Sequence, residues 1–145
     1  MRLLSKSSMY GIRAALFIAS REQERKYVPI REISDKLDIS FHFLTKILQV
    51  LTHHKIMTSY RGPNGGVSLA RPAREITLMD MIAAIEPDSC LKECILGLPG
   101  CGDEKPCPLH AFWGGTRDQI QSMFETTNLE SLGHNIQEND VRLST

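Results

Sequence analysis

The stretch from Pro29 to Arg71 constrains the fold of this chain more than any other. After Pro29, Ile30, Ile33 and Leu37 fall on one face of a short helix, and Asp38-Ile39 makes a tight turn. Ser40 then stands where it can cap a further helix running through about His53, its hydroxyl accepting a bond from the unpaired amides of the first turn. In that helix Phe43, Leu44, Ile47, Leu48 and Leu51 form a continuous apolar stripe that must face a core. The opposite face carries His42, Thr45, Gln49 and Thr52, with Lys46 at its margin. Such side chains reach base edges and phosphates. Two short helices joined by a tight turn, the second with one buried and one hydrogen-bonding face, make a helix-turn-helix pattern. An amphipathic helix of an all-α bundle would show the same stripe, so this segment alone leaves both readings open.

The segment after His53 tips the balance toward the helix-turn-helix. Residues 57–61 and 67–71 read as two short strands separated by Gly62-Pro63-Asn64-Gly65-Gly66, and Asn-Gly supplies the positive φ angles that a tight hairpin demands. A hairpin directly after a recognition helix is the wing of a winged helix, with Arg61 and Arg71 at its base where they can meet a DNA backbone or enter a minor groove. The glycines do not make a phosphate cradle, because no strand–loop–helix context and no Lys-Ser/Thr pair accompany them. Upstream, Met9, Ile12, Leu16 and Ala19 space a first helix over about residues 7–21. Downstream, residues 77–86 predict a helix with Thr77 as cap and Asp80 in its first turn. From Leu109 to about Thr126 a long helix sets Leu109, Phe112, Thr116, Ile120 and Met123 on one side, with Trp113 and Phe124 beside them. That stripe has little partner surface left in one chain and predicts a dimer seam. The expected fold class is mainly α with a small β-hairpin wing: a winged helix-turn-helix plus a long C-terminal dimerisation helix.

All four cysteines, Cys90, Cys94, Cys101 and Cys107, lie within 18 residues in a Gly/Pro-rich loop that has no periodicity of its own. Such clustering points to metal or redox chemistry over a disulfide scaffold in a reducing compartment. Thiolates are soft, charged donors that suit iron and sulfide and also zinc, although the paired Cys-x2-Cys spacing of structural zinc sites is absent. Neighbouring thiols can also work as a disulfide switch without metal. The formal net charge of zero hides an asymmetry: residues 1–75 carry 13 Lys/Arg against 6 Asp/Glu, residues 76–145 only 4 against 11. A basic half joined to an acidic half suits a nucleic-acid-binding module with a separate sensing or assembly module. The expected division is therefore residues 1–75 as DNA-binding domain, 76–132 as sensing loop and dimerisation helix, and 133–145 as a disordered tail. No apolar run approaches a membrane span, and the first residues lack a signal-peptide core, so the expected location is cytoplasmic.

Three segments resemble one known family, the winged-helix regulators typified by IscR, NsrR, RirA and CymR. They are the opening, with Ser5-Lys6 and Tyr10-Gly11-Ile12-Arg13-Ala14; Ile39-Ser40 with Phe43-Leu44-Thr45-Lys46-Ile47-Leu48; and Tyr60-Arg61-Gly62-Pro63-Asn64-Gly65-Gly66-Val67 in the wing. The family's three cysteines followed by His-x-x-Trp match Cys94, Cys101, Cys107 and His110-Ala111-Phe112-Trp113. The resemblance spans roughly residues 1–132. It implies base or phosphate contacts by Ser40, His42, Thr45 and Lys46, with Arg61 at the minor groove. It also implies an iron–sulfur cluster on Cys94, Cys101 and Cys107, with His110 where IscR-like members place a histidine ligand.

Cys107 and His110, three apart across a helix start, point the same way. A Cys3His set resembles 2Fe–2S centres, which is the favoured form; 4Fe–4S remains open. Met9 stands where NsrR-like proteins bring an aspartate to the cluster, which argues against that mode. Two departures concern specificity and the loop. Thr45 replaces the glutamate with which IscR-like proteins discriminate DNA sites, and the Cys94–Cys101 gap is one residue longer. Cys90 is an extra thiol, read as a spare ligand, a resolving thiol or a small buried residue.

The function expected is a homodimeric transcription regulator, not an enzyme, binding a pseudo-palindromic double-stranded DNA site with affinity controlled by the cluster. The alternative is a cluster-free winged-helix regulator controlled by thiol oxidation or by a partner protein. An electron-transfer or zinc-structured protein would need the cysteines but neither the wing nor the polar helix face.

Overall fold

A computed structural model describes residues 3–87, 90–139 and 142–144, with the side chains of residues 90 and 137–139 outside that description. Among the described residues six helices and one hairpin occur in the order α1 (Lys6–Arg21), α2 (Ile30–Leu37), α3 (Phe41–His53), β1 (Met57–Tyr60), β2 (Gly66–Leu69), α4 (Leu78–Ile85), α5 (His110–Thr126) and α6 (Leu129–Asn139). Single 3-10 turns lie at Ala73–Glu75 and Cys90–Lys92.

Local chemistry accounts for most boundaries. The Ser5 hydroxyl accepts from the Ser8 amide at 3.1 Å and starts α1. Asp38 takes the left-handed conformation, φ 53°, ending α2, and the Ser34 hydroxyl donates to the Ile39 carbonyl at 2.6 Å to brace the turn into α3. Thr77 and Asp80 form a reciprocal capping box at α4, as their spacing predicts. Two local expectations are corrected. Ser40 occupies the N-cap of α3, but its side chain makes no capping hydrogen bond. In the wing the positive φ angles belong to Gly62 (134°) and Gly66 (155°), not to Asn64-Gly65. The loop is five residues long, so the two-residue turn that favours Asn-Gly does not apply.

The hairpin is antiparallel with Met57 opposite Leu69 and Tyr60 opposite Gly66. Val28 extends it by one bridge, exchanging 2.9 Å bonds with Val67 in both directions. Ala14, Ile18, Ile33, Leu44, Leu48 and Leu51 pack beneath it in the main core. That core also holds Met81 of α4 and Leu129 of α6, so it runs across the 75/76 division suggested by charge. α6 returns onto α1, where Gly133 lies against Ala19, and Leu129 donates to the Ile76 carbonyl at 2.9 Å. The helix therefore passes Gly133 and continues to Asn139, where the sequence predicts a disordered tail. A polar sequence does not fray when its few apolar positions, here Leu129, Leu132 and Ile136, find a core.

A second, smaller cluster of Ile82, Leu91 and Phe124 joins α4, the start of the cysteine loop and α5. No helix among the described residues is long and apolar enough to cross a membrane.

Candidate metal centre and nucleic-acid interface

The cysteine loop is held at both ends before any ligand is considered. Leu91 is buried against Ile82 and Phe124, which anchors the loop's first turn on α4 and α5. Two residues later the Trp113 indole N–H, one turn into α5, donates to the Glu93 carbonyl at 3.1 Å. At the far end the His110 amide donates to the Cys107 carbonyl at 3.1 Å, opening α5. Pro108 lies just ahead of the Leu109 N-cap.

Between these anchors the thiols of Cys94, Cys101 and Cys107 converge, all within 4.8 Å of one another. Cys94 and Cys107 are 3.6 Å apart, sulfur to sulfur. His110 does not join the trio. Its Nδ1 lies 3.4 Å from the Cys101 sulfur, and its Nε2 lies 3.3 Å from Oδ1 of Asp103. Spacing alone pairs His110 with Cys107; the chain instead folds back so that Cys101 faces the ring. The side chain of Cys90 lies outside the described residues.

The thiols are electrostatically unequal. Cys94 is lowered to about 7, chiefly by the Leu98 amide, against some burial and with help from the Leu96 amide and the other two thiols. For Cys101 the largest influence, the Cys107 amide, favours the thiolate, but burial and the neighbouring Cys94 and Cys107 sulfurs outweigh it and push the thiol up.

The second surface is a cleft of about 610 Å³ between the recognition helix and the wing, lined among others by Arg31, Phe41, Thr45, Gln49, Tyr60 and Arg61. Arg31 sits 4.5 Å over the Phe41 ring. Of the residues assigned to DNA from sequence, Thr45 and Arg61 line this cleft; the N-cap Ser40 and, on α3, His42 and Lys46 are exposed but not part of its lining. The Thr45 hydroxyl donates to the Phe41 carbonyl at 2.8 Å, which leaves its oxygen as an acceptor for an incoming donor. Arg71 points elsewhere, toward the Asp80 carboxylate at 3.8 Å. Tyr60 stacks on Tyr27 with ring centroids 5.4 Å apart, tying the wing to the segment before α2.

Residues 4–135 match the family model named Rrf2, described as an iron-dependent transcriptional regulator. The chain belongs to the Rrf2 family. The HTH-type transcriptional regulator IscR of Photorhabdus laumondii is 33% identical over 141 residues, covering 97% of this chain and 84% of that protein. Protein aau3 of Rhizobium meliloti is 35% identical over 123 residues, 84% of this chain and 77% of its own length. Among solved structures, CymR (YrzC), the global cysteine regulator of B. subtilis, superposes with a TM-score of 0.76 at 25% identity, covering 92% of this chain and 98% of that one. IscR of T. potens also reaches 0.76, at 22% identity over 96% and 91% of the two chains, a likeness of fold.

This Rrf2 chain is accordingly a winged-helix transcriptional regulator. One group near its thiols escapes sequence reasoning: only the folded loop brings Asp103 to His110, as it also brings Trp113 of the His-x-x-Trp match to the Glu93 carbonyl.

Proposed function

We propose that this Rrf2 regulator binds DNA as a homodimer and that an iron–sulfur cluster held by Cys94, Cys101 and Cys107, with His110 as fourth donor, controls that binding. The observation that carries the cluster reading is the convergence of three thiols from an irregular loop to within 4.8 Å. The donors fit the group. They are soft thiolates plus one imidazole 3.4 Å from the Cys101 sulfur, a donor set that would hold an iron–sulfur centre. When bound, the cluster supplies a redox-active centre whose presence and charge can change. The chain's own residues carry the consequence. Leu91 joins the loop to α4 and α5, and α4 packs on both α1 and α3. A change in loop conformation therefore acts on the helix that reads DNA, provided ligand and DNA favour different arrangements.

At the interface, α3 enters a major groove with His42, Thr45 and Lys46 toward bases and phosphates, and the Ser40 hydroxyl, uncommitted to capping, faces the backbone. Arg61 reaches the flanking minor groove, so the phosphate ridge between the two grooves lies along the cleft. The exposed face of α5, Leu109, Phe112 and Met123, supports a dimer seam. Two half-sites would then lie about 34 Å apart on a pseudo-palindrome.

The test is anaerobic purification with visible absorption and assays of iron, sulfide and zinc per chain, followed by DNA binding of loaded and stripped protein. Colour with iron and sulfide, and affinities that differ between the two forms, are expected. A protein still colourless after anaerobic reconstitution overturns the cluster reading. Affinity should fall steeply with salt and weaken in Arg61→Ala; insensitivity to both overturns the interface.

A second reading rests on the 3.6 Å separation of the Cys94 and Cys107 sulfurs. Without metal, these two thiols can form a disulfide, passing two electrons and two protons to an oxidant such as a peroxide. Intact-mass loss of two hydrogens, with altered DNA affinity, would mark it.

A further inference from the structure

We infer that Asp103 is a positioning residue of the metal centre: its carboxylate fixes the tautomer and ring orientation of His110, so that Nδ1 presents its lone pair on the thiol side. The inference rests on the cluster reading above. A neutral imidazole carries one N–H and one lone pair, and a metal ligand must offer the lone pair. Here the two ring nitrogens face opposite surroundings. Nδ1 is 3.4 Å from the Cys101 sulfur, while Nε2 is 3.3 Å from Asp103 Oδ1. A carboxylate can only accept, so the proton belongs on Nε2 and Nδ1 is left free to donate electrons.

The ring is half-buried at the first turn of α5, its side chain 25% exposed, whereas Asp103 is fully exposed. Asp103 is thus replaceable without disturbing the core. It lies two residues after Cys101 in the same loop, so closure of the loop brings ligand and orienting carboxylate to the helix together. Ligating histidines commonly donate their second N–H to a carboxylate, and loss of that partner typically lowers metal affinity 10–100-fold. A negative charge beside the centre also stabilises its oxidised form and lowers its potential.

The experiment compares the full-length wild type with Asp103→Ala, Asp103→Asn and Glu104→Ala after anaerobic reconstitution. Glu104 is the adjacent exposed carboxylate and controls for loop charge. The readouts are cluster loss to a chelator, the EPR spectrum of the reduced protein and the midpoint potential. Asp103→Ala should lose its cluster about tenfold faster and shift its EPR signature. Asp103→Asn, whose amide oxygen still accepts from Nε2–H, should keep most of the lifetime while its potential rises. Glu104→Ala should match wild type. In a His110→Ala background Asp103→Ala should add nothing to the rate of cluster loss. Wild-type decay and spectrum in Asp103→Ala, equal effects of Asp103→Ala and Glu104→Ala, or undiminished acceleration of cluster loss without His110 overturn the inference alone. A wild type that takes up no cluster overturns it together with the reading beneath it.

Discussion

Cys94 gives up its proton more readily than Cys101, and the cause is local backbone. Its sulfur accepts from the Leu98 amide first and the Leu96 amide next, and the thiols of Cys107 and Cys101 add to that, bringing it to about 7. A lowered thiol is thiolate above that pH and loses reactivity as pH falls through it. In protein stripped of metal, iodoacetamide should therefore label Cys94 ahead of Cys101, with a rate half-maximal near pH 7; peptide mass spectrometry reads the order, and Cys101 reacting first would contradict the geometry. Glu22 is a second residue-scale case. Burial first, and the Glu130 carboxylate second, push its carboxyl up. A group whose folded pKa is raised favours the fold while protonated, and that contribution is lost as pH rises through the folded value. Glu22→Gln should thus raise the melting temperature modestly at neutral pH and bring no gain in acid, as thermal melts across pH would show. The thiols were legible as cysteines in one short loop. Neither the partner of His110 nor the Glu22–Glu130 repulsion was, because each depends on where a second segment lies.

At the scale of elements, the wing shows how a glycine motif can be read correctly for the wrong position. The sequence predicts a hairpin from its turn residues, and one forms, but Gly66 rather than Asn64-Gly65 carries the demanding geometry. A Cβ on Gly66 would fall 2.2 Å from the Val28 carbonyl oxygen, at a φ of 155° that side chains rarely adopt. Backbone cannot step aside as a side-chain tip can. Gly66→Ala should therefore cost about 1–3 kcal/mol in denaturant unfolding and weaken DNA binding by displacing Arg61. Wild-type stability in that variant would mean that the Val28–Val67 bridge does not hold the wing. The α4 cap was legible because Thr77 and Asp80 sit three residues apart on the same turn. That Ser40 does not cap α3 was not legible, since the hydroxyl's rotamer is chosen by its surroundings.

For the whole molecule, the exposed face of α5 has no covering partner among the described residues: Phe112 is 77% exposed and Met123 50%. A ring left in water on a helix this long is costly unless covered. Phe112→Glu should shift a dimer toward monomer in sedimentation, with loss of affinity for a two-half-site DNA and little change at a single half-site; a variant that remains fully dimeric would remove α5 from the seam. What the sequence by itself determined is the set of elements and their chemical types: helical spacing, caps, turn residues and a run of thiols all act within a few residues, so they survive being read along a line. Tertiary structure alone decided which of these meet. It drew three sulfurs into one group, set Asp103 behind His110, carried α6 back onto α1 and laid Glu86 on the Ser5 amide, 81 residues away. Those contacts depend on loop closure and on burial summed over the whole core, quantities that no local pattern encodes.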